Sequence, residues 1–587
     1  MGNEGASDIQ AESNLSGQRT NADSWPPSRA TTRDVSPRYR YYITYIFYAT
    51  SRFVLDIYKL DRACLSCPSA VEPRQRSPGM KGIRMKRIGT ALAAILMIGS
   101  GLVSAGAATL RVGIQDDPDA LDPALSGTYS GRFVFAALCD KLVDISPDLK
   151  IVPQLAEAWD WAADGKSVTF TLRKNVTFHD GTAFDAAAVK FNIERMKTMP
   201  DSKRKAELAP IVSVEALAAD KVKFNLSEPF VPLLANLSDR AGMMVSPKAA
   251  TERAGEFAAA PVCAGPYQFV ERKSRDLIRL KKYPGYWNAG AVGYDEVVYY
   301  YVPDSTVRLS RVRAGDLELA ERVAPTDLKT VRDDPNLTLH AGQGLAVSHL
   351  MFNVGAGAKA DTPLGKNPTL RQAFELAIDR NVINRVAFNG EFLADNQMIP
   401  PSSPFYDSAH KAPARDVAKA KALIAAAGMT RVPVEISYEN AAGDSRVAQI
   451  MQSMAAEAGF DVKLLPMETT TAIERYLNGN FEAYIGNWSG RPDPDPTLVA
   501  FFSCSGSQNV NKYCNKDLDA ILTQARGEAD DAKRKALYAK ATDIYLTALS
   551  SIPLYHPNWF FAARKSVGGI VMVPDGLLRL VGVKPTN

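Results

Sequence analysis

Between Val432 and Trp488 strand and helix patterns take turns. VPVEISY (432–438) alternates apolar and polar with period two. A helical stretch from Ser445 to Ala458 follows and stops at Gly459. DVKLLPM is a second strand, a short helix spans Ala472–Leu477 and stops near Gly479, and FEAYIGNW (481–488) is a third strand. A β-α-β-α-β order is most economically folded as a parallel sheet with right-handed crossovers, which places any ligand at the carboxyl ends of the strands. Two loops lie at that edge: Glu439-Asn440-Ala441-Ala442-Gly443-Asp444 after the first strand, and Ser489-Gly490-Arg491-Pro492-Asp493-Pro494-Asp495-Pro496 after the third. The second sets Trp488, a cation and two carboxylates on a chain stiffened by three prolines, which suits a polar ligand because little loop freedom is left to lose. A rigid turn with self-paired charges is the competing reading.

The remainder of the chain has other rhythms. LRVGI (110–114) reads as a strand, Phe133–Leu142 as a helix, SVTFTLRKNVTF (167–178) as an alternating strand, and VEALAADKVKFNL as two strands around Ala219-Asp220. Further on, Thr369 is placed to cap a helix carrying Leu370, Phe374, Ala377 and Ile378, and Ala418–Ala427 forms another helix ended by Gly428. Near the start, Met85-Lys86-Arg87, an apolar run from Ile88 to Val103, and Ala105-Gly106-Ala107-Ala108 have the three-part build of a secretory signal peptide. The apolar run is shorter than the ~20 residues of a membrane helix. Residues 85–108 are therefore expected to direct export, and residues 1–84 to be a leader without a fold, with Met85 or Met80 as the working start. Residues 1–108 hold 14 Lys and Arg against 8 Asp and Glu, so the whole-chain +5 becomes −1 for the 479 residues that follow. The apparent basicity belongs to the leader and argues for neither nucleic acid nor anionic lipid.

Four cysteines lie beyond the leader: Cys139, Cys263, Cys504 and Cys514. An even number in an exported chain reads as two disulfides. Cys504 and Cys514 flank the turn-rich SGSQNVNKY and suit a local bridge; Cys139 and Cys263 are left as the second bridge or as two buried free thiols. The five histidines are scattered without ligand spacing, which speaks against a metal site, and no G-x-S-x-G, Walker A or H-E-x-x-H motif supports a hydrolase or nucleotidase. Phe178-His179-Asp180-Gly181 looks catalytic but reads as a turn after a strand. Trp159 and Trp161 read as packing residues.

Several long segments in order carry a resemblance. PQLAEAWDWAADGKSVTFTLRKNVTFHDGTAFDAAAVKFNIERM (153–196), CAGPYQF (263–269), YPGYW (283–287), TLRQAFELAIDR (369–380) and the Cys504–Cys514 segment resemble the solute-binding proteins of peptide/nickel-type ABC importers, extracytoplasmic family 5. The resemblance runs from about Thr109 to the end, and it supports both disulfides. It implies an α/β, two-lobed periplasmic binding protein that closes on its ligand. Lobe I is expected at 109–352 and 553–587, with a subdomain of residues 140–262 inserted. Lobe II is expected at 353–552, with crossings near Phe352-Asn353 and Ile552-Pro553-Leu554. The implied function is capture of a small peptide or other polar solute by a soluble periplasmic monomer for an ABC permease and ATPase, with no cofactor and no catalysis. A ligand sensor for a membrane receptor and a metal-chelate or haem binder are the alternatives.

In the dipeptide binders of that family an aspartate follows a Trp-x-Gly and pairs with the peptide amino group. Here Trp488-Ser489-Gly490 is followed by Arg491, a reversal of charge that implies a ligand with an anionic group. The family's carboxylate-binding arginine is replaced by Glu439-Asn440 in its region, with Arg446 a few residues on. The expected ligand-binding set is Trp488, Ser489, Gly490, Arg491, Asp493, Asn440 and Arg446, joined by Tyr129 and Ser130 from the loop after the first strand.

Overall fold

The structure, a computed structural model, describes residues 108–586. The leader and all of the signal-type segment except Ala108 lie outside the described residues.

Two sheets organise the fold. The first is seven-stranded, in the order 337–343, 558–564, 319–320, 109–114, 296–301, 277–282, 267–273. Its centre is Thr109–Ile114, parallel to Glu296–Tyr301 on one side and to Leu319–Ala320 on the other. Leu110 and Val112 are fully buried and pack on Phe133, Leu138 and Phe561. The helix read at Phe133–Leu142 runs over Tyr129–Leu138, because the Thr128 hydroxyl caps it by accepting from the Gly131 amide.

The chain leaves the first core after Cys139 and is back in it by Met243 and Val245, short of Cys263, to which Cys139 is bonded with Cα atoms 4.9 Å apart. In between lies a four-stranded antiparallel sheet, in the order 156–161, 167–172, 221–226, 211–218, covered by the helix Ala186–Thr198. Phe170, Phe224, Ile193 and Met196 belong to a core of its own, against which Trp159 and Trp161 pack. His179 sits at the root of this insertion. Its Nε2 lies 3.0 Å from the Gly265 carbonyl, its Nδ1 accepts from the Cys263 amide, and Gly181 turns the chain at φ +79°.

The second sheet has six strands, in the order 393–394, 551–556, 347–352, 483–488, 432–439, 460–467. Val432–Glu439 pairs in parallel with Phe460–Met467 and with Ala483–Trp488, and the helix Ala442–Ala458 crosses between the first two and ends at Gly459, φ +107°. Val347–Phe352 and Ser551–His556 lie in the second sheet, so the chain changes sheets at 344–346 and at Pro557, not at 352–353 and 552–554. Both strands are buried at every position, and a strand covered on both faces has no alternation to betray its side. The crossings run side by side: a Cβ on Gly344 would stand 2.5 Å from the Pro557 carbonyl oxygen. The helix expected to start at Thr369 is capped by Asn367, whose side chain takes the Thr369 amide, with Pro368 in the first turn. No helix among the described residues is long and apolar enough to cross a membrane.

Candidate ligand-binding site

The edge where the parallel strands of each sheet end carries charge. In the first lobe Ile114 is followed by Asp116, and Ala320 by Glu321 and Arg322. Arg322 has φ +50°, a left-handed backbone that costs a side-chain-bearing residue roughly 1–2 kcal/mol. Its guanidinium lies 4.2 Å from the centre of the Tyr129 ring, which stacks at 4.9 Å on Trp559. Tyr129 is fixed at its far end, its hydroxyl donating to the Gly576 carbonyl at 2.5 Å. Arg322 also holds Asp116 at 3.2 Å and Glu321 at 3.4 Å. Ser130, by contrast, is buried, and its hydroxyl donates to that of Thr128.

The second lobe answers with carboxylates. Glu439 ends its strand, and Asp444 sits in the first turn of the following helix, where the Asn487 amide donates to it at 3.1 Å. Burial raises Glu439 to about 7, helped by the charges of Asp444 and Asp116 and opposed by Arg322. Burial likewise raises Asp444 to about 6, opposed by the Asn487 hydrogen bond and Arg322. Arg322 thus stands electrostatically within reach of both carboxylates from the other lobe. Asn440 is exposed, its side-chain oxygen 3.5 Å from the Ser445 hydroxyl.

The second loop differs from expectation in which partners it chooses. Trp488 donates from Nε1 to the Thr497 hydroxyl at 3.0 Å and meets Phe501 edge-on, and Arg491 lies 4.7 Å over its ring. Gly490 has φ +71°, and a Cβ there would stand 2.0 Å from the Leu345 carbonyl oxygen, so only glycine lets this loop lie against the crossing. Arg491 is not a free fork. It is 8% exposed, donates to the Gly490 carbonyl at 2.6 Å, and places Nε 3.3 Å from Asp239 in the other lobe. Burial lowers it to about 10 despite that carboxylate. Ser489 accepts from Arg132 of the first lobe at 3.2 Å.

The loop's carboxylates turn away. Asp493 is held by Arg534 at 2.6 and 2.7 Å and by the Tyr538 hydroxyl at 3.3 Å, and Asp495 by Arg526 at 2.9 Å. Arg446 donates to the Ala387 carbonyl at 3.2 Å. Asp493 and Arg446 are therefore not gathered with Arg491, because neighbouring helices supply each with a nearer partner. Trp488, Ser489, Gly490 and Arg491 do come together with the first lobe. Sequence reasoning missed Arg322, Asp116, Arg132 and Asp239. For the first two a signal existed, since both follow strands parallel to one another; for the others the contact is set only by tertiary folding. Among the described residues no group of three or more His, Cys, Asp or Glu is placed to hold a metal ion.

The profile of the bacterial extracellular solute-binding proteins, family 5, middle region, matches residues 150–509. Di/tripeptide-binding protein 2 of Pseudomonas aeruginosa is 28% identical, over 81% of this chain and 94% of its own. A glutathione-binding protein of Pectobacterium atrosepticum is also 28% identical, over 82% and 94%. Among solved structures, the binding protein AgaA of A. tumefaciens R10 in complex with agropinic acid superposes with TM-score 0.74 at 27% identity, over 82% of this chain and 99% of that one.

Proposed function

The chain belongs to family 5 of the bacterial extracellular solute-binding proteins, and on that premise we propose that it captures a small peptide or other polar, anionic solute between its lobes. It then presents the solute, as a soluble periplasmic monomer, to an ABC permease and its ATPase. The observation that carries this reading is the meeting of complementary groups from both lobes: Arg322, on the Tyr129–Trp559 stack, faces the charge of Glu439, and Arg132 and Asp239 meet Ser489 and Arg491. Ligand contacted from both sides favours the closed arrangement by its differential affinity, and the paired crossings at Gly344 and Pro557 are where the lobes turn. The relatives are named for di- and tripeptides and for glutathione, and the solved structure carries agropinic acid, so the fold accommodates small peptides and other polar solutes.

Native mass spectrometry on protein purified from its own host, followed by denaturing release, tests the reading. Release of a small peptide or another polar solute in near-stoichiometric amount is expected. A protein that carries nothing and changes neither fluorescence nor melting temperature with any member of a peptide and organic-acid panel would contradict it.

A further inference from the structure

Arg132, Arg204 and Arg240 of the first lobe and Arg491 of the second surround one carboxylate, Asp239, with exposures of 2, 3, 2, 8 and 3%. Arg132 Nε lies 3.0 Å from Asp239 Oδ1, Arg240 donates its backbone amide to that oxygen at 2.8 Å, and Arg491 approaches Oδ2. Arg204 takes Glu207 at 2.5 Å. Four buried cations thus face two carboxylates. The next carboxylate, Asp575, is occupied by Arg579 at 2.6 and 2.8 Å. The cations are only partly satisfied: Arg240 Nη1 donates to the Ser126 and Thr128 carbonyls at 2.9 and 3.3 Å and Arg204 Nη2 to that of Ser126 at 3.4 Å, while the buried Nε–H groups of both, and Asp239 Oδ2, make no hydrogen bond. Burial and mutual repulsion hold Arg240 well below its ordinary pKa. Uncompensated buried charge is costly, and an anion supplied from outside removes that cost.

From these contacts we infer that the arginine cluster is a subsite for a dianionic oxyanion head group, a phosphate or a pair of carboxylates, gripped from both lobes at once. The inference rests on the solute-binding reading above and names the chemistry of one end of its ligand. Arginine forks match carboxylate and phosphate geometry, and the Ser489 hydroxyl draws two of them to the seam, accepting from Arg132 at 3.2 Å and from Arg491 at 3.5 Å. Because Arg491 alone comes from the second lobe, an anion held by Arg132, Arg240 and Arg491 ties binding to closure.

The test uses protein from the whole expressed chain, freed of bound solute by unfolding and refolding, with phosphate, malonate and chloride compared at matched ionic strength. Phosphate or malonate is expected to raise the melting temperature saturably where chloride does not. The stronger of the two identifies the head group. Arg491→Gln is expected to weaken that binding about ten- to a hundredfold. No difference among the three salts, or a stabilisation that survives Arg491→Gln intact, would overturn the inference. Should the variant fail to fold, the comparison of salts on the unsubstituted protein decides alone. A released native solute without any anionic group would also overturn it while leaving the solute-binding reading in place; a protein that captures no solute at all would instead sink that reading.

Discussion

Arg491 of the second lobe and Asp239 of the first stand 3.3 Å apart between Nε and Oδ2, their side chains 7 and 3% exposed. The pair is unequal in consequence. Asp239 is the carboxylate that Arg132, Arg240 and Arg491 share, and their charges hold it well below the usual carboxylate range. Asp239→Asn strips three buried cations of one counter-charge, and a loss of about 3–5 kcal/mol is expected, the range for breaking a buried pair. Arg491→Gln removes a cation that also repels Arg132 and Arg204, so its cost should be clearly smaller. Urea unfolding of the two variants checks the order; equal losses would mean that the excess positive charge is not felt.

Gly490→Ala tests how closely the loop after Trp488 is moulded to the crossing. The new Cβ meets the Leu345 carbonyl oxygen at 2.0 Å on a backbone with φ +71°. Left-handed strain of roughly 1–2 kcal/mol and overpacking of about 1–3 kcal/mol add to an expected destabilisation of about 2–5 kcal/mol. Ligand affinity should fall with it, since Ser489 and Arg491 flank the glycine. An unchanged melting temperature would show that the loop can move off the crossing freely.

The two disulfides should differ in weight. Cys139–Cys263 closes a segment with a separation of 124 residues and Cys504–Cys514 one of 10. Chain entropy predicts contributions of about 5 and about 3 kcal/mol, respectively. Replacing each pair by alanine and comparing unfolding free energies checks this; the long bridge should cost more, and its loss should loosen the insertion first, seen as faster amide exchange across 156–226.

Much of the second lobe was legible because its strands and helices differ in period: 432–439, 442–458, 460–467 and 483–488 fall within a few residues of where alternation and glycine stops place them. The strands 347–352 and 551–556 were not, because burial on both faces erases the period. The site divides the same way. Ser489 and Arg491 were expected from the rule that ligands gather at the ends of parallel strands, whereas Glu439 was named only as part of that edge loop. Arg322 obeys that rule too, but its strand, Leu319–Ala320, is only two residues long and leaves no pattern to read. Asp239 and Arg132 gave no local signal, since they are brought to Arg491 only by the packing of the lobes. Asp493 was misread for a related reason. A carboxylate between prolines looks free in sequence, and Arg534, which takes it, lies on a helix that comes later in the chain.

The carboxylates opposite Arg322 should make stability depend on pH. Glu439 ionises near its ordinary 4.5 in the unfolded chain and at about 7 in the folded one, raised first by burial and then by Asp444 and Asp116. The folded state therefore holds a proton that the unfolded chain has released, so this group's stabilisation is complete below about 4.5 and is lost as pH rises through 7. Asp444 acts with the same sign through about 6. Glu439→Gln removes the titration and one half of the repulsion, so the variant should lose less stability than the parent between pH 5 and pH 8. Melting curves at the two pH values check the difference. If parent and variant respond alike, Glu439 is solvated in the folded protein and does not confront Asp444 across a dry gap. A ligand that brings a cationic group to this pair would suppress the same dependence, because the carboxylates would then ionise at little cost.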